Sequence, residues 1–177
     1  MNPFYKKKIL VTGGSGSIGS GIVKSLLNKK CSTIRVMSHD ENGIYELSED
    51  ISRSNKKFQI KMIEKKIRFI IGDIRDLERC KTVTQGIDIV IHAAALKHVP
   101  ICEYNPSEAF KTNVIGTQNL IKASIKNKVK KFLFISTDKT AEPTSVMGKT
   151  KLDAESKVLL AKSKTTKFSI IRFGNIL

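Results

Sequence analysis

The sequence predicts an α/β domain built as a Rossmann-like, doubly wound parallel sheet. Three observations predict it. Short, continuously apolar runs alternate with longer amphipathic ones along the chain, as expected for strands covered on both faces and for the helices that cover them. A glycine-rich run lies between the first apolar run and the first helical one. Polar residues capable of chemistry gather just after the apolar runs, where open α/β sheets bind ligands.

Each element follows from its own residues. "KKILVT" is a buried strand, and "GIVKSLLNK" is helical, with Ile22, Val23, Leu26 and Leu27 on one face. "TIRVMS" is the second strand. "ENGIYELSEDISRS" is a helix with Ile44, Leu47 and Ile51 inward. Residues 52 to 66, "SRSNKKFQIKMIEKK", are polar and lysine-rich and read as a surface connection. "KIRFIIGDI" is the third strand, and "DLERCKTVTQG" is a short helix closed by Gly86. "IDIVIHAAA" is the fourth strand. "NPSEAFKTNVIGTQNLIKASIKN" is one long helix with Pro106 near its first turn. "KFLFIST" is the fifth strand, residues 146 to about 163 the next helix, and "KFSIIRFG" the sixth strand.

The 177 residues form one domain, read as residues 1–177, and 40% of them are hydrophobic, as in a globular protein. No apolar run reaches the roughly 18 residues of a membrane span. The start, "MNPFYKKKILVTGG", has no apolar core of signal-peptide length, which predicts a cytoplasmic location. Cys31, Cys80 and Cys102 are odd in number and form no CxxC pair, so they read as free thiols. His39, His92 and His98 show no metal-ligand spacing, and no metal is expected. The net charge is +16. Its lysines are spread and not interleaved with aromatic residues, which favours a solvated surface over a nucleic-acid interface. A compact anionic ligand would benefit from that positive field.

"VTGGSGSIGS" supplies such a ligand's site. Gly13, Gly16 and Gly19 give the spacing GxxGxxG, with Ser15, Ser17 and Ile18 among them. Glycines permit a tight turn and close backbone approach to a pyrophosphate, and the following helix offers free N–H groups. With a strand before and a helix after, the pattern predicts dinucleotide binding. At the end of the second strand, Ser38 and His39 can donate to a 2′-phosphate while Asp40 opposes it. NADP is favoured, and NAD stays open. Asp73 and Ile74, in "GDIRD", lie where an adenine ring would rest, although Asp73 could equally be a turn residue before a helix. The small residues Ala93, Ala94 and Ala95 let the backbone approach a cofactor. "STDK" closes the fifth strand, and an Asp beside a Lys can supply an acid and a base.

"HAAALKHVPICEYNPSEAFKTNVIGTQNLI" and "ISTDKTAEPTSVMGKTK", with "TGGSGSIG", "GDIRD" and "RFGNIL", resemble the extended short-chain dehydrogenase/reductases. Within them, the match is to the polysaccharide-biosynthesis branch of UDP-N-acetylglucosamine 4,6-dehydratases and their epimerase relatives. The resemblance implies transient oxidation at sugar C4, loss of water across C5 and C6, and a UDP-sugar substrate. It implies that Asp138 is the acid for water loss, that Lys139 is the C5 base and that Thr137 bonds the C4 hydroxyl. Lys151 would hold the nicotinamide ribose. Lys97 and His98 would line the substrate pocket, and Asn113 would help position substrate. Met147 stands where the wider family has Tyr; in this branch that Met is a known variant, so Met147 belongs to the catalytic set as a subfamily mark. The chain departs from the branch at Glu142 and Ser145, usually Asn, and at His39, usually Arg. Relatives assemble, which implies a homo-oligomer. They also continue well past "RFGN", so the substrate-closing part is expected to be missing. A UDP-hexose epimerase and a non-catalytic dinucleotide-binding module are the competing readings.

Overall fold

Strands such as "KILVT" are apolar without interruption because both faces of their sheet are covered. The computed structural model describes residues 2–54 and 57–174. Six parallel strands, β1 (Lys8–Thr12), β2 (Thr33–Ser38), β3 (Ile67–Ile71), β4 (Ile89–His92), β5 (Lys131–Thr137) and β6 (Lys167–Phe173), form one sheet in the order β3-β2-β1-β4-β5-β6. Sequence order therefore reverses between β1 and β4. The connections leave these two strands in opposite directions and open a crevice beyond their carboxyl ends.

The helices are α1 (Ser17–Leu27), α2 (Glu41–Arg53), α3 (Lys57–Lys66), α4 (Leu77–Thr84), α5 (Val99–Tyr104), α6 (Pro106–Phe110), α7 (Thr117–Lys126) and α8 (Val146–Leu159). Successive residues of β1 feed opposite cores, as the two-residue period of a strand requires. Ile9 and Val11 pack with Val23, Leu26, Leu47 and Ile51 on one face. Leu10 packs with Val83, Val90, Leu120, Phe132, Phe134 and Val158 on the other.

Among the described residues, three α-helix starts are closed by side chains. Asp40 accepts from Gly43 N (3.0 Å), Asp76 from Arg79 N (3.0 Å) and Ser145 from Gly148 N (3.1 Å). Ser145, a departure from the branch pattern, is thus the cap of α8. Cys31, Cys80 and Cys102 are free and buried, and burial pushes the Cys80 thiol up to about 12.

Four expectations change. Residues 57–66, read as a connection, form α3; their lysine-rich composition hides the helix, and residues 55 and 56 of that stretch lie outside the described residues. Helix α5, short and opened by Pro100 in its first turn, was not expected. The last helix ends at Leu159 rather than near 163. The long helix from 105 to 127 is interrupted by a π-helical turn, Lys111–Gly116. Such turns mark places where the helix is deformed to make a local contact. Here Thr117 Oγ1 donates to Asn113 O (2.6 Å), and the buried Asn113 side chain reaches out of the helix to the chain after β4.

Candidate active site

The crevice at the reversal is a cavity of about 590 Å³. Gly13, Ser15, Gly16, Ser17, Ile18 and Gly19 line one wall. Ser38 and His39 close its far end, Asp73 and Ile74 a second side, and Ala93, Ala94 and Ala95 the floor toward β4. Lys97 and His98 also line it. Sequence reasoning named all of these; among the other lining residues it missed the polar Arg75, Glu108 and Thr112.

The geometry suits a phosphate. Helix α1 has Gly16 at its N-cap position, so it has no side-chain cap, and no acidic residue lies in its first turn. Its leading N–H groups and the positive end of its dipole therefore face the cavity unpartnered by side chains. Lys97 Nζ lies 3.5 Å from Ser17 Oγ, which adds a cation at this phosphate end. Two glycines hold the loop closed. Gly13 has φ +67°, and a Cβ there would lie 2.6 Å from the backbone of Ala94. A Cβ at Gly19 would overlap the carbonyl of Gly13. Gly19→Ala is therefore expected to cost about 1–3 kcal/mol of stability and to displace the loop, with weaker dinucleotide binding. A denaturant midpoint equal to wild type would contradict this.

At the far end, Ser38 is buried and its hydroxyl accepts from Ser15 Oγ (2.8 Å) and Asp40 N (3.2 Å). The Asp40 carboxylate is turned to its capping bond on α2. Asp73 is tied to Arg75, whose N and Nε donate to it at 2.8 and 2.7 Å. Burial pushes the Asp73 carboxyl up, but the Arg75 hydrogen bonds outweigh it and leave the group below the usual carboxylate range. Arg75 also donates to Glu108 Oε2 (2.7 Å), joining this wall to α6.

Thr137, Asp138 and Lys139 stand on the same carboxyl rim, at the end of β5, but outside the cavity lining. Thr137 Oγ1 donates to Asp138 Oδ1 (3.0 Å) and accepts from Lys139 N (3.4 Å). Lys139 Nζ lies 4.0 Å from Asp138 Oδ1, and both side chains are about half exposed.

Three further sequence-predicted residues do not line the cavity. Asn113 was expected to position substrate. Its Oδ1 accepts from Leu96 N (2.8 Å), and its amide donates to Leu96 O (3.1 Å) and Thr150 Oγ1 (3.0 Å). Two of these bonds fix the loop that carries Lys97, and the third ties Asn113 to α8. Met147 was placed in the catalytic set. It is buried against Cys102 and Ala109, and a thioether has no proton to give. Lys151 was expected at a cofactor ribose. It is 6% exposed, donates to Ile135 O (2.7 Å) and lies 4.2 Å over the Phe134 ring. Burial pulls its ammonium down to about 7, against the opposing pull of Glu155.

Glu155 is a second acidic residue that the sequence reading missed. It is 2% exposed, accepts from Arg172 Nε (3.0 Å) and Nη2 (2.6 Å), and accepts from Thr140 Oγ1 (3.1 Å). It thereby joins β6 to the 3₁₀ turn Asp138–Thr140. Burial pushes its carboxyl up, but the Arg172 hydrogen bonds win and hold it below the usual range. Its spacing of four from Lys151 was the available signal. No group of three metal-ligating side chains occurs among the described residues.

The strand order and the glycine-cradled crevice at its reversal define the class, a Rossmann-type dinucleotide-binding fold. The chain belongs to the polysaccharide biosynthesis protein family, whose signature spans residues 9–177. An uncharacterized membrane protein of Methanocaldococcus jannaschii is 51% identical over 98% of this chain and 50% of its own length. A UDP-N-acetylglucosamine 4,6-dehydratase (inverting) of Campylobacter jejuni is 43% identical over the same shares. The crystal structure of Pen from Bacillus thuringiensis superposes with a TM-score of 0.89 at 41% identity, covering 98% of this chain and 52% of that one. The chain spans about half the length of the curated relatives it matches. Among the described residues, no helix is long and apolar enough to cross a membrane.

Proposed function

We propose that this chain is the nicotinamide-dinucleotide half of a nucleotide-sugar 4,6-dehydratase acting on UDP-N-acetylglucosamine-type substrates in glycan biosynthesis. One observation carries the reading: the phosphate cradle of α1 and the Asp138–Lys139 pair share one rim of the sheet, on β1 and β5, with only β4 between them. A bound dinucleotide, read as NADP with NAD second, would supply the hydride acceptor for sugar C4 and the hydride donor for C6.

The chain's residues then have defined tasks. The first N–H groups of α1 and the Lys97 ammonium bind pyrophosphate. Ser38 and His39 face the adenosine ribose, and Asp73 and Ile74 seat the adenine. Lys151 exchanges its bond to Ile135 O for the nicotinamide ribose. Thr137 holds the C4 hydroxyl, while His98 faces the sugar nucleotide. Once C4 is a ketone, the C5 proton is acidic, and Lys139 removes it. Asp138 gives a proton to the C6 hydroxyl, which leaves as water, and a proton returns to C5 as C6 is reduced. Met147 keeps the usual tyrosine route closed, so the C4 hydroxyl proton leaves through Thr137, Lys139 or a water.

A second reading is an epimerase of the same branch, since a UDP-glucose 4-epimerase of Rickettsia canadensis is 36% identical over 98% of this chain. The adjacent acid and base favour the dehydratase, because epimerisation needs no acid for a leaving hydroxyl. Incubation with UDP-N-acetylglucosamine separates the readings. The expected result is tight dinucleotide binding with weak or absent turnover in this length of chain; any 4-keto product should be lost in Asp138→Asn and Lys139→Met, with dinucleotide affinity within about twofold of wild type. A C4 epimer would select the second reading. Dinucleotide binding with no product would leave a binding module.

A further inference from the structure

All six strands begin on the rim opposite the crevice, and that rim collects lysines from separate stretches of sequence. Backbone hydrogen bonds stitch these stretches together: Lys6 N to Lys30 O (2.7 Å), Asp88 N to Lys8 O (2.9 Å), Lys130 N to Asp88 O (2.9 Å) and Lys167 N to Lys130 O (2.9 Å). Lys6, Lys8, Lys30, Lys130, Lys131 and Lys167 are all exposed. In register, Lys131 stands directly opposite Lys167 across the β5–β6 pair. Like charges side by side repel, and an anionic partner would relieve that repulsion. The carboxylate on these stretches, Asp88, is already engaged with Lys8 N (3.0 Å) and Lys130 Nζ (3.2 Å).

Apolar side chains protrude from the same rim. Helix α8 runs back from the carboxyl end of β5 to the amino end of β6, so Leu159 and Leu160 emerge there, each 74% exposed. Tyr5 is 52% exposed, with the Lys6 ammonium 5.3 Å from its ring centre.

Lysines alone would suit any polyanion, but the leucines discriminate. A phosphodiester backbone offers a leucine nothing, and recognition of single strands rests on rows of stacking aromatics, which the rim lacks. An anionic bilayer offers negative headgroups at its surface and hydrocarbon just beneath. We propose that the amino-end rim docks this protein on an anionic membrane surface, with the lysines over phosphate headgroups and Leu159 and Leu160 reaching below them. The crevice then faces away from the bilayer, open to solvent.

The test is co-sedimentation of the purified chain with vesicles of phosphatidylcholine alone and of phosphatidylcholine mixed with phosphatidylglycerol. Binding is expected only to the mixed vesicles and should weaken as salt rises. Lys131→Glu with Lys167→Glu should weaken it by roughly 30-fold or more. Leu159→Ser with Leu160→Ser should reduce the part that survives high salt. Circular dichroism and dinucleotide titration at the opposite rim establish that each variant is folded, and Lys131→Gln with Lys167→Gln supplies a milder pair. Equal binding to both vesicle types, no binding by the folded wild type, or undiminished binding by the folded charge-reversed variant would overturn the proposal. So would displacement from mixed vesicles by DNA of equal phosphate content, with the leucine variant behaving as wild type; that outcome would assign the rim to nucleic acid.

Discussion

Between pH 6.5 and about 4.5 the folded domain is expected to lose stability at close to 1.4 kcal/mol per pH unit through His92 alone. His92 is fully buried at the end of β4. Its Nδ1 lies 2.8 Å from Thr12 Oγ1 and its Nε2 2.9 Å from Thr117 Oγ1. The tautomer follows from counting protons. Thr117 has one hydroxyl hydrogen, and it goes to Asn113 O. Thr117 Oγ1 therefore accepts from His92, so Nε2 carries the proton and Nδ1 accepts from Thr12. A second ring proton on Nδ1 would force the Thr12 hydroxyl to turn and accept instead of donate, and burial with the Lys151 charge nearby pulls the imidazole from 6.5 down to about 3. In the unfolded chain the ring protonates below 6.5 while the folded ring stays neutral, so acid favours unfolding across that window. The full effect, reached near pH 3, is about 4–5 kcal/mol. Asp73 and Glu155 also lose stabilising charge in acid, but only below the ordinary carboxylate range, which leaves the upper window to His92. Denaturant unfolding across this range, for wild type and His92→Gln, reads the slope. An unchanged slope in a folded His92→Gln variant would remove His92 from the explanation.

His92 also shows where sequence reading stops. In the sequence it is a lone histidine with no ligand spacing. In the fold it sits in a buried chain from Thr12 through Thr117 and Asn113 to Leu96 and Thr150, whose links join residues 80, 25, 17 and 37 positions apart. No local pattern encodes such links. The phosphate cradle is the opposite case. Gly13 to Gly19 lie in one turn between a strand and a helix, so their spacing is their geometry, and the strand-end residues Ser38, Asp73 and Ala93 are brought together by the sheet order alone. The six strands were legible because continuous apolar runs leave few alternatives. Helix α3 was not, because a lysine-rich surface helix and a lysine-rich loop look alike in composition. Glu155 and Arg172 escaped for the same reason as His92: 17 residues and a strand crossing separate them.

Replacing Lys151 by methionine is expected to stabilise the ligand-free domain at pH 7 by about 2–4 kcal/mol while weakening dinucleotide binding. The wild-type ammonium is buried, and its surroundings compensate in part: one carbonyl at 2.7 Å, the Phe134 face and the attraction of Glu155. Its proton affinity still falls from 10.5 to about 7. Between these values the unfolded chain holds a proton that the folded chain has released, so wild-type stability should rise as pH climbs from 7 to 10.5. Below 7 both states are charged, and the burial penalty is present in full. Methionine keeps the volume and removes the charge, so its stability should be flat over the alkaline window and should exceed wild type most at and below neutrality. The functional loss has the same origin. A lysine with a carbonyl, an aromatic face and an i,i+4 carboxylate, yet still half deprotonated near neutral pH, is a cation held short of partners. A ribose hydroxyl pair would supply them. Thermal unfolding of both proteins from pH 6 to 10, beside dinucleotide titrations, tests both halves. A folded Lys151→Met protein that is less stable than wild type at pH 7, or that binds dinucleotide as tightly, would mean that the ammonium is content where it lies.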